Sequence, residues 1–191
     1  MQELVYDVAV SLDGFIAAES GDFSAFPTDD SIVAAYFDRL AGYAVSVMGR
    51  ATYEVGLDHG LSLGANPYPA MDTHVVSTAL RLPAEAAVTR IATDPVAAVA
   101  GLKARAAGPV YLCGGGRLAG CLAAAGLLDR LRVKRAPIVL GRGIPLFDRP
   151  LALDLSLEDA AHLPSGYVYQ DFRIAAPAAR ASSASPAHQS A

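Results

Sequence analysis

The sequence lacks tryptophan, has only two cysteines and contains no apolar run long enough to cross a membrane. A membrane-spanning helix needs about 18 or more consecutive apolar residues, so a transmembrane protein is excluded. A basic segment is also missing from the first ten residues, and Glu3 and Asp7 interrupt their apolar run, which is unlike a secretory signal. We therefore expect a cytoplasmic protein with no membrane partner.

The two cysteines, Cys113 and Cys121, stand eight positions apart. This spacing fits neither a CxxC redox pair nor a zinc site, and structural disulfides are uncommon in cytosolic proteins. We expect both cysteines to pack as small apolar side chains, and we expect no metal site.

The chain also lacks a strong excess of charge, because its formal net charge is -4 over 191 residues. With 53% hydrophobic and 18% charged residues, the composition is that of one compact domain. Basic residues are scattered except for the run RLRVKR at positions 130–135. A strand with alternating faces is favoured for that run over a nucleic-acid contact, so we expect no nucleic-acid partner.

Strand-like runs rich in Val, Ile and aromatic residues alternate with helical patterns along the chain. This alternation predicts an α/β fold with a mostly parallel central sheet, helices on both faces and a C-terminal antiparallel hairpin. One domain is predicted over residues 1–174, and residues 175–191, rich in Ala, Ser and Pro, are predicted to form a disordered tail. The predicted strands are 4–10, 44–49, 73–78, 87–92, 109–114, 131–141, 151–159 and 166–174, and the predicted helices include 28–42, 93–108 and 117–128.

Three consecutive glycines, Gly114, Gly115 and Gly116, separate a predicted strand from a predicted helix. Backbone without side chains approaches a ligand closely, and a helix N-terminus favours a phosphate group. A tight turn into a buried helix has the same pattern, so both interpretations stay open on these residues alone. A Rossmann dinucleotide site is disfavoured, because Lys134 and Arg135 stand where that fold has an acidic residue.

Two further predicted strands end in groups that bind anions. In VMGRATYE, Arg50 can form a forked contact with phosphate and Thr52 can donate its hydroxyl. In THVVST, Ser77 and Thr78 place two hydroxyls at the strand terminus. Since open parallel sheets bind ligands at the carboxyl ends of their strands, these groups predict one binding edge.

Five segments in this order and spacing resemble the dihydrofolate reductase superfamily: SLDGFIA, MGRATYE, VVST, LCGGGRLAGCL and APIVLGRGIPLF. More particularly, they resemble its single-domain proteins similar to the C-terminal reductase domain of the bifunctional riboflavin-biosynthesis deaminase/reductase. The resemblance implies a dihydrofolate reductase-like three-layer sandwich, NADPH as cofactor, a small-molecule substrate and a homodimer.

The resemblance also implies roles for individual residues in cofactor binding. The groups after the strand 44–49 would hold the cofactor phosphates, and Ser77 and Thr78 would meet the adenosine 2′-phosphate. The three glycines and Arg117 would cradle the pyrophosphate. Backbone near the end of the first strand and in the segment after it would bind the nicotinamide carboxamide. In chain order, the implied cofactor residues are Ala9, Ile16, Ala17, Gly49, Arg50, Ala51, Thr52, Ser77, Thr78, Gly114, Gly115, Gly116 and Arg117.

The substrate side departs from the family pattern. The position that holds the pterin-binding carboxylate in folate reductases is Val33, and the position before the glycines, acidic in riboflavin-pathway reductases, is Cys113. Nearby acids Asp29, Asp30 and Asp38 are expected to cap a helix or face solvent. The expected activity is hydride transfer from NADPH to a small heterocyclic or sugar-linked substrate. A nucleotide-binding or flavin-binding protein without reductase activity is the alternative.

Asp13, in SLDGF, is the candidate catalytic residue of this sequence. It would orient the substrate or the loop that closes over it. Because Asp-Gly is also a strong turn signal, a purely structural role in the turn before Gly14 is equally favoured.

Overall fold

A computed structural model describes residues 1–28 and 30–175. Within them the chain forms ten β-strands, four α-helices and a short 3-10 helix at Pro164–Gly166. The helices are α1 (Asp30–Leu40), α2 (Arg50–Asp58), α3 (Pro95–Arg105) and α4 (Gly116–Ala124). The strands are β1 (Leu4–Val10), β2 (Phe15–Ala17), β3 (Val45–Gly49), β4 (Asp72–Val76), β5 (Thr89–Ile91), β6 (Val110–Gly114), β7 (Arg130–Arg135), β8 (Ile144–Pro145), β9 (Leu155–His162) and β10 (Val168–Ile174).

Eight strands form the central sheet in the order β5-β4-β3-β6-β1-β7-β10-β9. The first six strands of this order pair in parallel. β10 then runs antiparallel to both β7 and β9. Because the parallel strands share a direction, their carboxyl ends lie along one edge of the sheet, called here the carboxyl edge. The predicted α/β fold with a C-terminal antiparallel hairpin is confirmed.

Helices cover both faces of the sheet. On one face, α3 and α4 pack against alternate residues of β1 and β6, including Leu4, Tyr6 and Leu112. On the other face, α1 packs through Leu40 and α2 through Tyr53. Period-two alternation therefore gives each strand two chemically different sides. The side covered by α1 is called here the α1 face. Its buried polar residues include Asp7 and Lys134.

The observed boundaries follow from local chemistry. β7 ends at Arg135 although apolar residues continue, because Pro137 has no N–H to donate to a ladder. Asp94 caps α3 by accepting the N–H of Ala97, and Pro95 occupies its first turn, within the predicted helix 93–108. Asp38 is exposed, as expected, whereas Asp29 lies outside the described residues. The disordered tail predicted for residues 175–191 lies outside the described residues, except for Ala175. The N–H of Ala175 donates to the carbonyl of Asp154.

None of the helices in the described ranges has the length and hydropathy of a membrane span.

Candidate functional site

Two glycine-capped helices meet at the carboxyl edge. α2 begins after Gly49 and α4 after Gly115, and no side chain caps either helix. A β-carbon on Gly49 would lie 3.8 Å from the carbonyl oxygen of Gly114. One on Gly115 would lie 3.6 Å from Thr52 Oγ1 and 3.9 Å from Ile16 Cδ1. Five of the predicted cofactor residues, Gly49, Gly114, Gly115, Thr52 and Ile16, are therefore neighbours. The first-turn amides of α2 and α4 are not used by the helices themselves.

The third glycine of the motif has a packing role. Gly116 is buried, and a β-carbon there would overlap the carbonyl oxygen of Pro145. Its own carbonyl accepts the N–H of Asp148. Gly116 thus lets the segment containing β8 cross the start of α4, in addition to any contact with a ligand.

β2 and β8 form a separate two-stranded antiparallel sheet beside this cradle. It contains two predicted cofactor residues, Ile16 and Ala17. A β-carbon on Gly143 would overlap the carbonyl oxygen of Ala17, so the two strands pass in close contact. Neither strand was predicted, because two or three residues are too few to show a periodic pattern.

Asp13 joins the loop after β1 to the loop before β8. Its Oδ1 accepts the Ser11 hydroxyl at 2.6 Å and the N–H of Leu140 at 3.1 Å, and its Oδ2 accepts the N–H of Gly141 at 2.7 Å. These bonds, the Ser11 hydroxyl first, hold the pKa of the Asp13 carboxyl below its ordinary value. The contacts are those of a positioning residue, and its catalytic role stays a prediction.

The Ser77 hydroxyl is largely committed to local structure. Ser77 is buried, and its Oγ accepts the N–H groups of Ala79 and Leu80 at 3.1 and 2.8 Å. Thr78 is exposed. Of the two predicted hydroxyls, Thr78 is therefore the one whose side chain faces outward.

An open hollow of about 680 Å³ lies next to Thr78, at the ends of β4 and β5. Arg81 and Arg90 line it, and Arg90 Nη1 donates to the carbonyls of Thr78 and Leu80. Arg50 begins the helix after the neighbouring strand β3 and pairs with Glu54 at 2.8 Å. Three arginines therefore lie along adjacent strand ends. Sequence reasoning missed Arg90, because it lies within a strand.

The α1 face of the sheet carries a buried ion pair. Arg39 Nε donates to Asp7 Oδ2 at 3.1 Å, and the Asp7 side chain is 0% exposed. The Tyr43 hydroxyl lies 3.5 Å from the same oxygen and accepts Arg132 Nη1 at 2.9 Å. In the described part of the chain, Asp7 Oδ1 and Arg39 Nη2 have no hydrogen-bond partner.

Three tyrosine hydroxyls on the same face form a hydrogen-bonded chain that ends at Cys113, next to the glycine motif. The Tyr36 hydroxyl lies 3.0 Å from that of Tyr111 and 3.2 Å from that of Tyr68. The Tyr68 hydroxyl lies 3.2 Å from Cys113 Sγ. Burial raises the pKa of Tyr36 to about 12 and raises the pKa of the Cys113 thiol, so these groups stay protonated near neutral pH. Cys113 therefore has a polar partner, which corrects the expectation of purely apolar packing.

Lys134 completes the α1 face. It is 7% exposed, its Nζ lies 4.2 Å from the centroid of the Tyr36 ring, and it pairs with Ala9 in the β1–β7 ladder. Burial lowers its pKa to about 8, against the opposing effect of Asp7. The prediction of a strand with alternating faces for RLRVKR is confirmed, but the buried role of Lys134 was not foreseen. The available sequence signal for this cluster was an acid, Asp7, within an apolar first strand.

The remaining predicted residues lie at the helix starts. Ala51 and Arg117 are exposed in the first turns of α2 and α4, and Ala9 is half-buried near the end of β1. Val33 is 42% exposed on α1. Cys113 and Cys121 are free thiols.

Comparison with known proteins agrees with this geometry. The sheet order and the solved structures that resemble it define a dihydrofolate reductase-like fold. The RibD C-terminal domain family matches residues 2–169, and the chain belongs to this family. No curated protein sequence matches it.

Three solved structures illustrate the fold. A proposed riboflavin biosynthesis protein from Shewanella sp. PV-4 is 22% identical with a TM-score of 0.76, covering 92% of this chain and 99% of that one. The diaminohydroxyphosphoribosylaminopyrimidine deaminase/5-amino-6-(5-phosphoribosylamino)uracil reductase of Thermotoga maritima is 14% identical with a TM-score of 0.65, covering 91% and 57%. Dihydrofolate reductase from Enterococcus faecalis, in complex with NADP(H), is 19% identical with a TM-score of 0.60, covering 90% and 96%.

Proposed function

We propose that the protein is an NADPH-dependent reductase that transfers a hydride to a small heterocyclic or sugar-linked substrate. The observation that carries this proposal is the convergence of Gly49, Thr52, Gly114 and Gly115 at the carboxyl edge. A pyrophosphate placed there would meet the free first-turn amides of two helices, and glycine allows it close to the backbone. Arg117 would add a positive charge from the first turn of α4.

The arginines at the ends of β3, β4 and β5 support NADPH rather than NADH. Arg81 and Arg90 line a hollow that is open to solvent beside Thr78, and Arg50 begins the helix after the neighbouring strand β3. An adenosine 2′-phosphate would meet guanidinium groups and a hydroxyl there, and such charge-assisted contacts are strong. The dihydrofolate reductase to which this chain is similar binds NADP(H).

The substrate side supports a reductase of the pyrimidine-reductase type over a folate reductase. Val33 stands at the position where a folate reductase would hold its pterin-binding carboxylate, and the buried carboxylate on this side is Asp7 of β1. The Thermotoga maritima protein to which this chain is similar acts on 5-amino-6-(5-phosphoribosylamino)uracil. We therefore propose this uracil as the first substrate to assay, and riboflavin biosynthesis as one possible setting.

The proposal is tested by titrating the purified protein with NADPH and NADH and following nicotinamide fluorescence. We expect NADPH to bind at micromolar levels and more tightly than NADH. Arg50→Ala and Arg90→Met should each lower the affinity for NADPH about tenfold or more and the affinity for NADH about twofold or less. The NADPH effect is expected because a lost charge-assisted hydrogen bond amounts to about 1.5–3 kcal/mol. Arg105→Met, at the exposed C-terminal end of α3, is the matched control and should change neither affinity.

Failure of both nucleotides to bind would overturn the reductase proposal. Tight NADPH binding without hydride transfer to any heterocyclic acceptor would favour a nucleotide-binding protein without reductase activity. If Arg90→Met lowered the affinities for NADPH and NADH equally, the hollow would not be the binding site of the 2′-phosphate.

We also propose that the protein is a homodimer that associates through its C-terminal strands. β9 is an edge strand in which every residue is exposed, including Leu155 and Leu157. An exposed edge strand with apolar side chains readily pairs with another strand. Sedimentation equilibrium should give a dimer, and Leu157→Lys should shift it toward monomer.

A further inference from the structure

Lys134 is a buried lysine whose ammonium group forms no hydrogen bond with any described residue. Only 7% of the residue is exposed, and its Nζ instead lies over the Tyr36 ring. An ammonium group has three N–H donors, and burying them without acceptors is unfavourable. The cation–π contact with Tyr36 leaves these donors without acceptors, so the lysine points to a role in ligand binding or chemistry.

Charged or titratable groups face Lys134 from each element packed against it. Asp7 on β1 favours its ammonium form, and Arg39 on α1 opposes it. Cys113 lies on β6 beyond the ring of Tyr36, and Tyr169 faces it from β10. Because Arg39 already pairs with Asp7, the cluster holds two cations and one anion, and Lys134 is the member without a partner of its own.

If NADPH binds as proposed, Lys134 would lie beside the nicotinamide end of the cofactor. In the β1–β7 ladder it is level with Ala9, whose backbone is expected to bind the nicotinamide carboxamide. Cys113, across β1, directly precedes the glycine cradle. A substrate on the α1 face beside the nicotinamide would therefore meet Lys134 together with Tyr36 and Tyr68, which lie next to it.

We infer that Lys134 is the proton donor of the reduction, an inference that rests on the proposed function. A hydride passes from C4 of the dihydronicotinamide to the carbon of a C=N or C=O group, and a new C–H bond forms. The electron pair of the double bond moves to nitrogen or oxygen, which takes a proton from Lys134 Nζ. The products are NADP⁺, the reduced substrate and a neutral lysine amine, which regains its proton from water.

This role also restricts the substrate class. The acceptor is a neutral or anionic imine or carbonyl, since a cationic substrate would be repelled by Lys134 and Arg39. A general acid works best when its pKa is near the working pH, which agrees with the lowered value of Lys134. The lysine thus replaces, from β7, the proton source that a helix carboxylate supplies in folate reduction.

The composition of the chain makes a direct test simple, because Lys103 and Lys134 are its two lysines. Protein labelled with [ε-¹³C]lysine gives one side-chain signal for each. Lys103 is the internal control, since its Nζ bonds to Asp129 Oδ2 at 2.5 Å and to the carbonyl of Leu127 at 2.6 Å. We expect Lys134 to titrate about 0.5 unit or more lower with NADP⁺ than with NADPH, because the oxidised ring carries a positive charge. The Lys103 signal should not differ between the two complexes.

Turnover then tests proton donation itself, with NADPH and 5-amino-6-(5-phosphoribosylamino)uracil as substrates. Lys134→Met should lower kcat about 100-fold or more while NADPH affinity stays within about twofold, in the range typical of general acids. Lys134→Arg keeps the positive charge but cannot release a proton, so it should not restore kcat. In the wild type, kcat should fall as pH rises above about 8, and this limb should be absent in both variants.

The outcomes separate the two proposals. If wild-type protein binds neither nucleotide, the proposed reductase function fails before Lys134 is examined. If NADPH binds but this uracil is not reduced, the labelled-lysine titration decides, and equal Lys134 titration in the NADP⁺ and NADPH complexes overturns the inference. If turnover is seen, wild-type kcat in Lys134→Met, or full rescue by Lys134→Arg, overturns proton donation.

Discussion

Asp7 and Arg39 form an ion pair between β1 and α1, with 3.1 Å between Oδ2 and Nε, and each keeps one buried polar atom without a partner in the described chain. The pair joins β1, a central strand, to the helix that covers the proposed substrate side. Because the Asp7 side chain is fully buried, Arg39 is its counter-charge in the interior.

Removal of Arg39 should therefore destabilise the protein more than removal of a surface cation. We expect Arg39→Met to lower the free energy of unfolding by about 2–4 kcal/mol, because it leaves a buried carboxylate without its cation. Urea denaturation measures the change. Arg142→Met is the control, since Arg142 and Glu19 are 84% and 68% exposed and such pairs contribute less than about 1 kcal/mol. The double variant Asp7→Asn/Arg39→Met should recover part of the loss, and equal effects at both sites would contradict this account.

Lys134→Met should have the opposite effect on stability. The folded-state pKa of Lys134 is about 8, below its ordinary value of 10.5, so the unfolded chain binds more protons between these values. The stability of the wild type should therefore rise with pH from about 8 to 10.5, and below pH 8 the buried charge opposes folding by about 3 kcal/mol. Lys134→Met should be more stable than wild type at pH 7, with the difference shrinking through this window. Melting curves at pH 7 and pH 10 measure it, and a less stable variant at pH 7 would contradict the burial argument.

Gly115→Ala and Gly116→Ala distinguish ligand contact from packing. A β-carbon on Gly115 meets Thr52 and Ile16 at ordinary contact distances, so stability should change by less than about 0.5 kcal/mol. NADPH affinity should nevertheless fall tenfold or more, because the methyl group would occupy the space of the phosphates. Gly116→Ala displaces Pro145 and should lower stability by about 1–3 kcal/mol. Calorimetric titration and urea denaturation of both variants provide the test, and unchanged NADPH binding by Gly115→Ala would remove the glycines from the cofactor site.

Asp13→Ala should separate a positioning role from a catalytic one. Since the folded-state pKa of Asp13 is lowered, its contribution to stability is present above its ordinary pKa and is lost as pH falls through the lower value. The variant should melt below the wild type at pH 7, and the two should converge in acid. It should also bind NADPH more weakly, because Ile16 follows the same loop. A fall in kcat alone, with melting temperature and NADPH affinity unchanged, would instead support catalysis.

Much of the fold could be predicted from the sequence because its signals are local. Strand alternation, the cap at Asp94 and the glycines after β3 and β6 each act within a few residues. The cofactor side of the site shares this property, since its groups follow directly from strand ends. Parallel strands bring those ends together without any further information.

The substrate side depends on contacts between distant segments, which local patterns do not show. Asp7 interrupts an apolar strand, and only the packing of α1 against β1 reveals Arg39 as its partner. Tyr68 comes from a long loop, and its contacts with Tyr36 and Cys113 require three elements to be in place. The inward position of Lys134 follows from the register of β7, which no local signal fixes.

The bonds of Asp13 also bear on how this domain can be rebuilt. The loop after β1 and the segment from Leu140 to Asp148 are separated by more than a hundred residues, yet they share the Asp13 bonds, the β2–β8 ladder and the contact of Leu146 N–H with the carbonyl of Gly14. They are a single exchangeable module made of two pieces. A chimera that takes only one piece from a relative inherits half of an interface, so specificity should be transplanted with both.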